Sequence, residues 1–306
     1  MMLREPKLDN VPELPEVEAL ALDLGGRLDG HAIQTIHLAA FSALKTFDPP
    51  LRALEGSPVE GVTRHGKFLD ISVGEGTSGL HLVMHLARAG WVRWKDEVPT
   101  MPPRPSGRNP LAARVVLEDM SGLDVTEAGT KKSLAIYVVR DPQDVPGIAS
   151  LGPDPLTDDF TLERLRDILK AEGRKQIKGV LRHQGTIAGI GNAYSDEILH
   201  AARMSPFKPA ATLVEGEDDG DLVVLYDAIR VTLGDAVDRS RGLHASELKS
   251  EKKSNLAVHG RTGEACPVCG DSVREVSFAD SSLQYCATCQ TGGKPLADRR
   301  MSKLLK

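Results

Sequence analysis

Cys266-Pro-Val-Cys269, sixteen further residues, then Cys286-Ala-Thr-Cys289 contain all four cysteines of this 306-residue chain. Two Cys-x-x-Cys knuckles at this separation can place four thiolates tetrahedrally around one Zn²⁺, leaving no coordination position open for chemistry. The alternative is a pair of disulfides. Zinc is the reading preferred here, because no cysteine is left over and no signal segment points to an oxidising compartment. A segment of about 25 residues with so few apolar side chains does not fold on burial alone, so metal binding is expected to supply its folding free energy.

Outside the ribbon, 41% hydrophobic and 26% charged residues place the chain among ordinary globular proteins of about two domains. The longest apolar stretches, such as Leu80 to Leu86, are interrupted by His81 and His85 and are far short of a bilayer crossing. A cytoplasmic protein with no membrane partner is expected. The net charge of −5 is uneven: residues 1–173 hold 19 basic and 26 acidic side chains, residues 174–306 hold 19 and 17, and from Arg239 onward the count is 12 against 7. Positive charge therefore gathers around the ribbon, as a phosphate-binding footprint or a solvated surface would have it.

The periodicity divides the rest. Residues 1–11 are polar and irregular. Pro15-Glu16-Val17-Glu18 opens an amphipathic helix with Val17, Leu20, Leu24 and Leu28 on one face and acids in the first turn. Short extended runs follow at Ile33–Leu38, Val59–Thr63, Phe68–Val73, Leu80–Leu86, Ala113–Leu117, Leu123–Thr126 and Leu134–Val139, a spacing that predicts a β-sandwich or barrel-like domain. Pro99–Pro110, with five prolines in twelve residues, reads as a loop. After Leu151 the pattern turns helical. Asp158 or Asp159 is the expected cap of a helix bearing Leu162, Leu165, Ile168 and Leu169, and a second helix carries Ile177, Val180 and Leu181. A glycine-punctuated turn, Gly185 to Asn192, leads into a helix near Ala193, and residues 222–237 form a longer one.

Six segments then stand in a telling order: Pro12-Glu-Leu-Pro-Glu-Val-Glu18, Gly66-Lys67-Phe68-Leu69, His85-Leu86 with Gly90, Leu151-Gly-Pro-Asp-Pro-Leu156, Ala188-Gly-Ile-Gly-Asn-Ala-Tyr194 and Val258-His-Gly-Arg-Thr-Gly-Glu264 before the ribbon. From Pro12 to about Gln290 the chain resembles the Fpg/Nei (formamidopyrimidine-DNA glycosylase / endonuclease VIII) family of base-excision DNA glycosylases. The resemblance implies an α+β architecture: an N-terminal helix plus β-sandwich (12–150), a helix-two-turns-helix DNA-binding domain (151–262), a zinc ribbon (263–292) and a basic tail (293–306). It also implies damaged double-stranded DNA as partner, a monomer, association with the nucleoid, and one structural Zn²⁺ on Cys266, Cys269, Cys286 and Cys289.

For chemistry, the resemblance assigns Pro12 as the nucleophile, its secondary amine attacking C1′ of the damaged nucleotide, expelling the base and leaving an iminium that permits β- and δ-elimination. Glu13 matches the family's acid and Lys67 a lysine that contacts phosphate beside the reacting sugar. His85 and Asn192 match phosphate ligands that hold the backbone bent. Read by themselves, Glu13 and Glu16 are helix-start acids, Lys67 an edge charge, His85 a core histidine and Asn192 an N-cap.

Three departures stand out. Eleven residues precede Pro12, and a prolyl nitrogen in a peptide bond has no usable lone pair. Val11 lies directly before Pro12, and GTG valine codons also start bacterial genes, so the expected active species begins at Pro12. Secondly, Arg88 stands where the family places a wedging Met, and Gly129-Thr-Lys131-Lys132-Ser-Leu134 replaces an Arg-Phe loop. Cations replace an apolar plug, which shifts the expected substrate from 8-oxoguanine towards oxidised pyrimidines, abasic sites or open DNA. Thirdly, Ser281 occupies the place of a phosphate-gripping arginine, and the basic tail (Lys294, Arg299, Arg300, Lys303, Lys306) is the available compensation. The competing readings are a non-catalytic damaged-DNA-binding protein on the same scaffold and a protein-interaction module that uses the ribbon alone.

Overall fold

The computed structural model describes residues 11–74, 76, 79–99, 110–216, 218–278 and 281–297. Most of the Pro99–Pro110 loop and of the basic tail lies outside them. The described residues form two compact units, one of residues 11–150 with 240–249, the other of residues 151–239 with 250–297.

In the first unit, helix α1 (Leu14–Leu28) begins with a reciprocal capping box: the Glu13 carboxylate accepts the Glu16 backbone N–H, and Glu16 Oε2 accepts the Glu13 N–H at 2.9 Å. Pro15 in the first turn has no N–H to leave unpaired. Val17, Leu20, Leu24 and Leu28 are at most 1% exposed, each such burial being worth about 1.5–3 kcal/mol. Eight strands follow, β1 (Ile33–Leu38), β2 (Val59–His65), β3 (Phe68–Val73), β4 (Leu80–His85), β5 (Gly90–Lys95), β6 (Leu111–Leu117), β7 (Gly122–Glu127) and β8 (Ala135–Val139), and then a one-turn helix α2 (Pro146–Ala149). The strands make two antiparallel four-stranded sheets, ordered β2-β3-β4-β8 and β1-β6-β7-β5. Alternation fixes the register: Leu69, Ile71 and Val73 of β3 enter the core, whereas Phe68, Asp70 and Ser72 face the other way.

The sequence reading has no strand at β5. A Cβ on Gly90 would lie 2.1 Å from the Leu86 carbonyl oxygen. Glycine is needed for the tight return from β4, and the strand begins on it.

The segment 240–249 joins this unit. Trp91 Nε1 donates to the Ala245 carbonyl at 2.9 Å, and Ala245 and Leu248 enter the sandwich core. A linear reading that places a single boundary at 150 does not anticipate this.

The second unit holds α3 (Leu162–Glu172), α4 (Ile177–Arg182), α5 (Asn192–Ala201) and α6 (Gly220–Ser240), followed by the ribbon hairpin β9 (Val273–Ser277) and β10 (Ser282–Cys286). The cap of α3 is Thr161, whose Oγ1 accepts the Arg164 N–H at 3.1 Å, in place of Asp158 or Asp159. Gly191, not Asn192, caps α5. The ribbon packs Val276, Leu283, Tyr285 and Ala287 with Phe207, so it shares apolar surface with the helical segment. Among the described residues no helix is long and apolar enough to cross a membrane.

Candidate functional site

Strand order and direction locate the sequence candidates of the first unit. The C-terminal end of β4 (His85) pairs with the start of β3 (Phe68) and the start of β8 (Ala135), while Phe68 also pairs with His65 at the end of β2. In the other sheet Gly90 pairs with Glu127 at the start of β5 and the end of β7. Residues 86–89 and 128–134 join these ends, so they form one rim of the sandwich. Helix α1 runs back along β2. Its C-cap, Asp29, bridges to Val59 at the far end of β2, and its fifteen residues span about 22 Å, close to the ~23 Å of a seven-residue strand. The N-terminus of α1, with Pro12 and Glu13, therefore reaches the same rim.

Local chemistry fixes each group there. Gly66 and Lys67 form the two-residue loop of the β2–β3 hairpin. Gly66 has φ +57° and Lys67 does not share the positive φ, the pattern of a type II′ turn with glycine first. Lys67 is thus set at the hairpin tip. Arg64 locks the tip to the helix: its Nε donates to Glu18 Oε2 at 2.6 Å and its Nη1 to the Gly66 carbonyl at 3.1 Å. Pro12 and Glu13 are buried.

His85 packs against Phe68 with the rings tilted by 45° and their centroids 4.6 Å apart. Burial, and secondly the positive charge of Lys67, lower its pKa from 6.5 to about 4. The ring is neutral at physiological pH and presents one N–H donor. Arg88, Lys131 and Lys132 are exposed on the two loops of the rim, which are tied together by the Ala128 N–H to the Ala89 carbonyl at 3.0 Å. The Lys132 ammonium turns back onto the Glu127 carbonyl. Glu127 itself, unremarked in the sequence, accepts the N–H groups of Ser133 (2.6 Å) and Leu134 (2.9 Å) and so shapes the loop that carries both lysines.

In the second unit, Asn192 is the first residue of α5. Its Nδ2 donates to the Ser282 carbonyl at 2.8 Å, and its buried Oδ1 has no partner among the described residues. As oriented, one of the two amide N–H groups ties α5 to the ribbon. Beside it lies a buried network that sequence reasoning missed. Lys178 Nζ bonds Asp196 Oδ1 (2.6 Å), and Asp196 Oδ2 meets His259 Nδ1 (2.8 Å) and accepts the Gln284 N–H (3.1 Å). Glu197 accepts the backbone N–H groups of Ala257, Val258 and His259. Asp196-Glu197 set directly before Ile198-Leu199 in a helix were the available signal, since buried carboxylates demand partners.

The four cysteines are free, and their sulfurs converge to within 4.8 Å of one another, a four-sulfur cluster rather than two bonded pairs. Cys269 and Cys286 are 3.4 Å apart, Cys266 and Cys289 3.9 Å. Four thiolates at ~2.3 Å from one zinc stand about 3.8 Å apart, so the donor set fits a tetrahedral Zn²⁺. Burial, followed by the neighbouring thiols, pushes the Cys289 thiol strongly upward, and burial also raises Cys286. Such crowded thiols ionise when a cation joins them. His200, kept neutral by burial, has Nε2 3.2 Å from Cys266 Sγ, the outer-shell hydrogen bond that orients a ligand sulfur. The zinc is structural.

Three family models match the chain: the formamidopyrimidine-DNA glycosylase N-terminal domain over residues 11–132, its H2TH domain over 151–247, and the zinc finger found in FPG and IleRS over 263–292. The formamidopyrimidine-DNA glycosylase of Symbiobacterium thermophilum is 32% identical across 95% of this chain and 93% of its own length. An uncharacterized formamidopyrimidine-DNA glycosylase-like protein of Mycobacterium tuberculosis is 57% identical, over 51% of this chain and 95% of its own length. Among solved structures, the Thermus thermophilus MutM (Fpg) protein superposes with a TM-score of 0.75 at 29% identity, covering 93% of this chain and all of that one. The Lactococcus lactis Fpg bound to DNA containing N7-benzyl-Fapy-dG does so at 0.78 and 27%, over 92% of this chain and all of that one. With the two-unit architecture and a zinc site that fits its metal, the chain belongs to the Fpg/Nei family of DNA glycosylases.

Proposed function

We propose that the protein is a base-excision DNA glycosylase with associated lyase activity, working as a monomer in the cytoplasm at the nucleoid. The observation that carries this reading is the shared rim: Pro12, Glu13, Lys67 and His85, scattered over 74 residues of sequence, belong to elements whose ends meet at one edge of the sandwich. In this reading the Pro12 nitrogen attacks C1′, the bond from C1′ to the base breaks, and the base departs with a proton. Glu13 supplies and recovers protons at the sugar. The resulting iminium acidifies the C2′ hydrogen, whose loss expels the 3′ phosphate. A second elimination expels the 5′ phosphate. Lys67 and the neutral His85 hold the flanking phosphates through charge and a single hydrogen bond. Asn192, in the second unit, is a further proposed phosphate ligand.

The nitrogen must be a secondary amine for any of this to proceed. The active form accordingly begins at Pro12, with residues 1–11 absent, and intact-mass measurement on protein from the native host checks this.

The preferred substrates are oxidised pyrimidines and abasic or open DNA. Exposed Arg88, Lys131 and Lys132 support this reading, because cations pair with phosphates or an orphaned base but do not prise apart a stack. The test is a strand-cleavage panel with the form that starts at Pro12. Duplexes carrying an oxidised pyrimidine or an abasic site are expected to be cut at least tenfold faster than one carrying 8-oxoguanine; equal or reversed rates overturn the preference.

A further inference from the structure

Phe41 is 75% exposed, an unusual state for a phenylalanine held in a well-hydrogen-bonded turn. It opens a short 3₁₀ turn, Phe41–Ala43, in the crossing from β1 to β8. The Ala39 and Ala40 N–H groups both donate to the Ala112 carbonyl, at 2.8 and 2.9 Å. Leu44 bridges to Ile136, and the Lys45 N–H bonds the Ile136 carbonyl at 2.8 Å. Ala43 is buried in the sandwich core. The backbone on both sides of Phe41 is thus anchored while its ring is left in solvent.

Topology says where that ring stands. The chain leaves β1 at Leu38, which pairs with Ala113 near the start of β6, and that end of β6 pairs with the end of β7. It arrives alongside Ile136, one residue from Ala135, the partner of His85. The crossing therefore runs over the rim that carries Lys67, His85, Arg88 and the two lysines of the β7–β8 loop. One strand spacing from His85 to β8, another to Leu44 and one 3₁₀ turn back to Phe41 place it within roughly 15 Å of His85, a span of a few nucleotides. An exposed, rigidly mounted aromatic beside a row of cations is the arrangement that takes a nucleobase face by stacking while the cations hold its phosphates.

We propose that Phe41 is a stacking platform for an unpaired nucleobase of the bound DNA strand, supplying the apolar contact that Arg88 and the Lys131–Lys132 loop do not. This rests on the reading of the rim as a DNA-binding edge. Phe47 is a built-in control: it is 87% exposed and lies on the same connection. Because 44–46 run parallel to β8 from Ile136 towards Val138, however, Phe47 points the chain away from the rim.

The test is equilibrium binding of the full chain to three probes: a duplex with a tetrahydrofuran abasic analogue, a single-stranded oligonucleotide and an undamaged duplex, each titrated with salt. Phe41→Ala is expected to weaken the first two by roughly 5- to 150-fold, the worth of one base–aromatic stack. The undamaged duplex and the slope of log K against log salt should be unchanged, since a neutral ring releases no counterions. Phe41→Trp should retain affinity, with its emission quenched on binding, and Phe47→Ala should bind as the parent does. Equal binding by Phe41→Ala and the parent, a uniform loss on all three probes with a shallower salt slope, or an equal loss in Phe47→Ala overturns the assignment. Failure of the parent protein to bind any probe overturns the DNA-binding reading of the rim, and the platform with it.

Discussion

His85 shows how far one residue's environment redirects its chemistry. From the sequence it is a histidine at the end of an apolar strand, matched by resemblance to a phosphate ligand; its protonation state is invisible there. The fold packs it against Phe68, half-buries it, and sets Lys67 nearby, and desolvation first and that charge second hold its pKa at about 4. The unfolded chain, with a histidine near 6.5, takes up the proton first as pH falls. His85 therefore costs no stability above pH 6.5 and lowers it progressively between 6.5 and 4. An NMR titration of the free protein should place the His85 midpoint near 4, and Lys67→Ala should raise it. A midpoint at or above 6.5 contradicts this. Glu13 and Glu16 illustrate the complementary case: the helix-start role and the resemblance-based role do not exclude each other, because the capping box fixes the Glu13 side chain at the helix start, in the residue next to Pro12.

At the scale of elements, strands with clean alternation were legible in the sequence. Ile33–Leu38 and Phe68–Val73 have the bounds that their patterns indicate. What was hidden depended on contacts distant in sequence. Strand β5 was masked by the glycine its tight turn requires, the docking of 240–249 depends on Trp91, and the Lys178–Asp196–His259 network assembles from three separate segments. The zinc ribbon was legible from spacing alone, although not its attachment, which runs through Asn192 to Ser282 and Gln290 to Met204. Zinc removal should therefore act on the helical unit as well as on the finger. With a strong chelator, calorimetry is expected to show the transition of that unit shifted downward by several degrees, while the sandwich, whose core is built from α1 and the two sheets, keeps its own transition. A chelated protein with unchanged transitions contradicts the assignment of a structural zinc.

Over the whole molecule, sequence order sufficed for the family because the motifs fall in separate elements whose spacing survives divergence. It could not show that Pro12, Lys67 and His85 share a rim, since that follows from strand direction and from the path of α1 along β2. Nor could charge totals show it: the first 173 residues carry more acid than base, yet Lys67, Arg88, Lys131 and Lys132 share one edge. The account's central claim is that the Pro12 nitrogen, once unacylated, is the nucleophile at that edge. Borohydride trapping on an abasic-site duplex tests it directly with two forms of the protein, one starting at Met1 and one starting at Pro12. The Pro12 form should yield a covalent protein–DNA adduct and the Met1 form essentially none; an adduct of equal yield from the intact Met1 form would contradict the account.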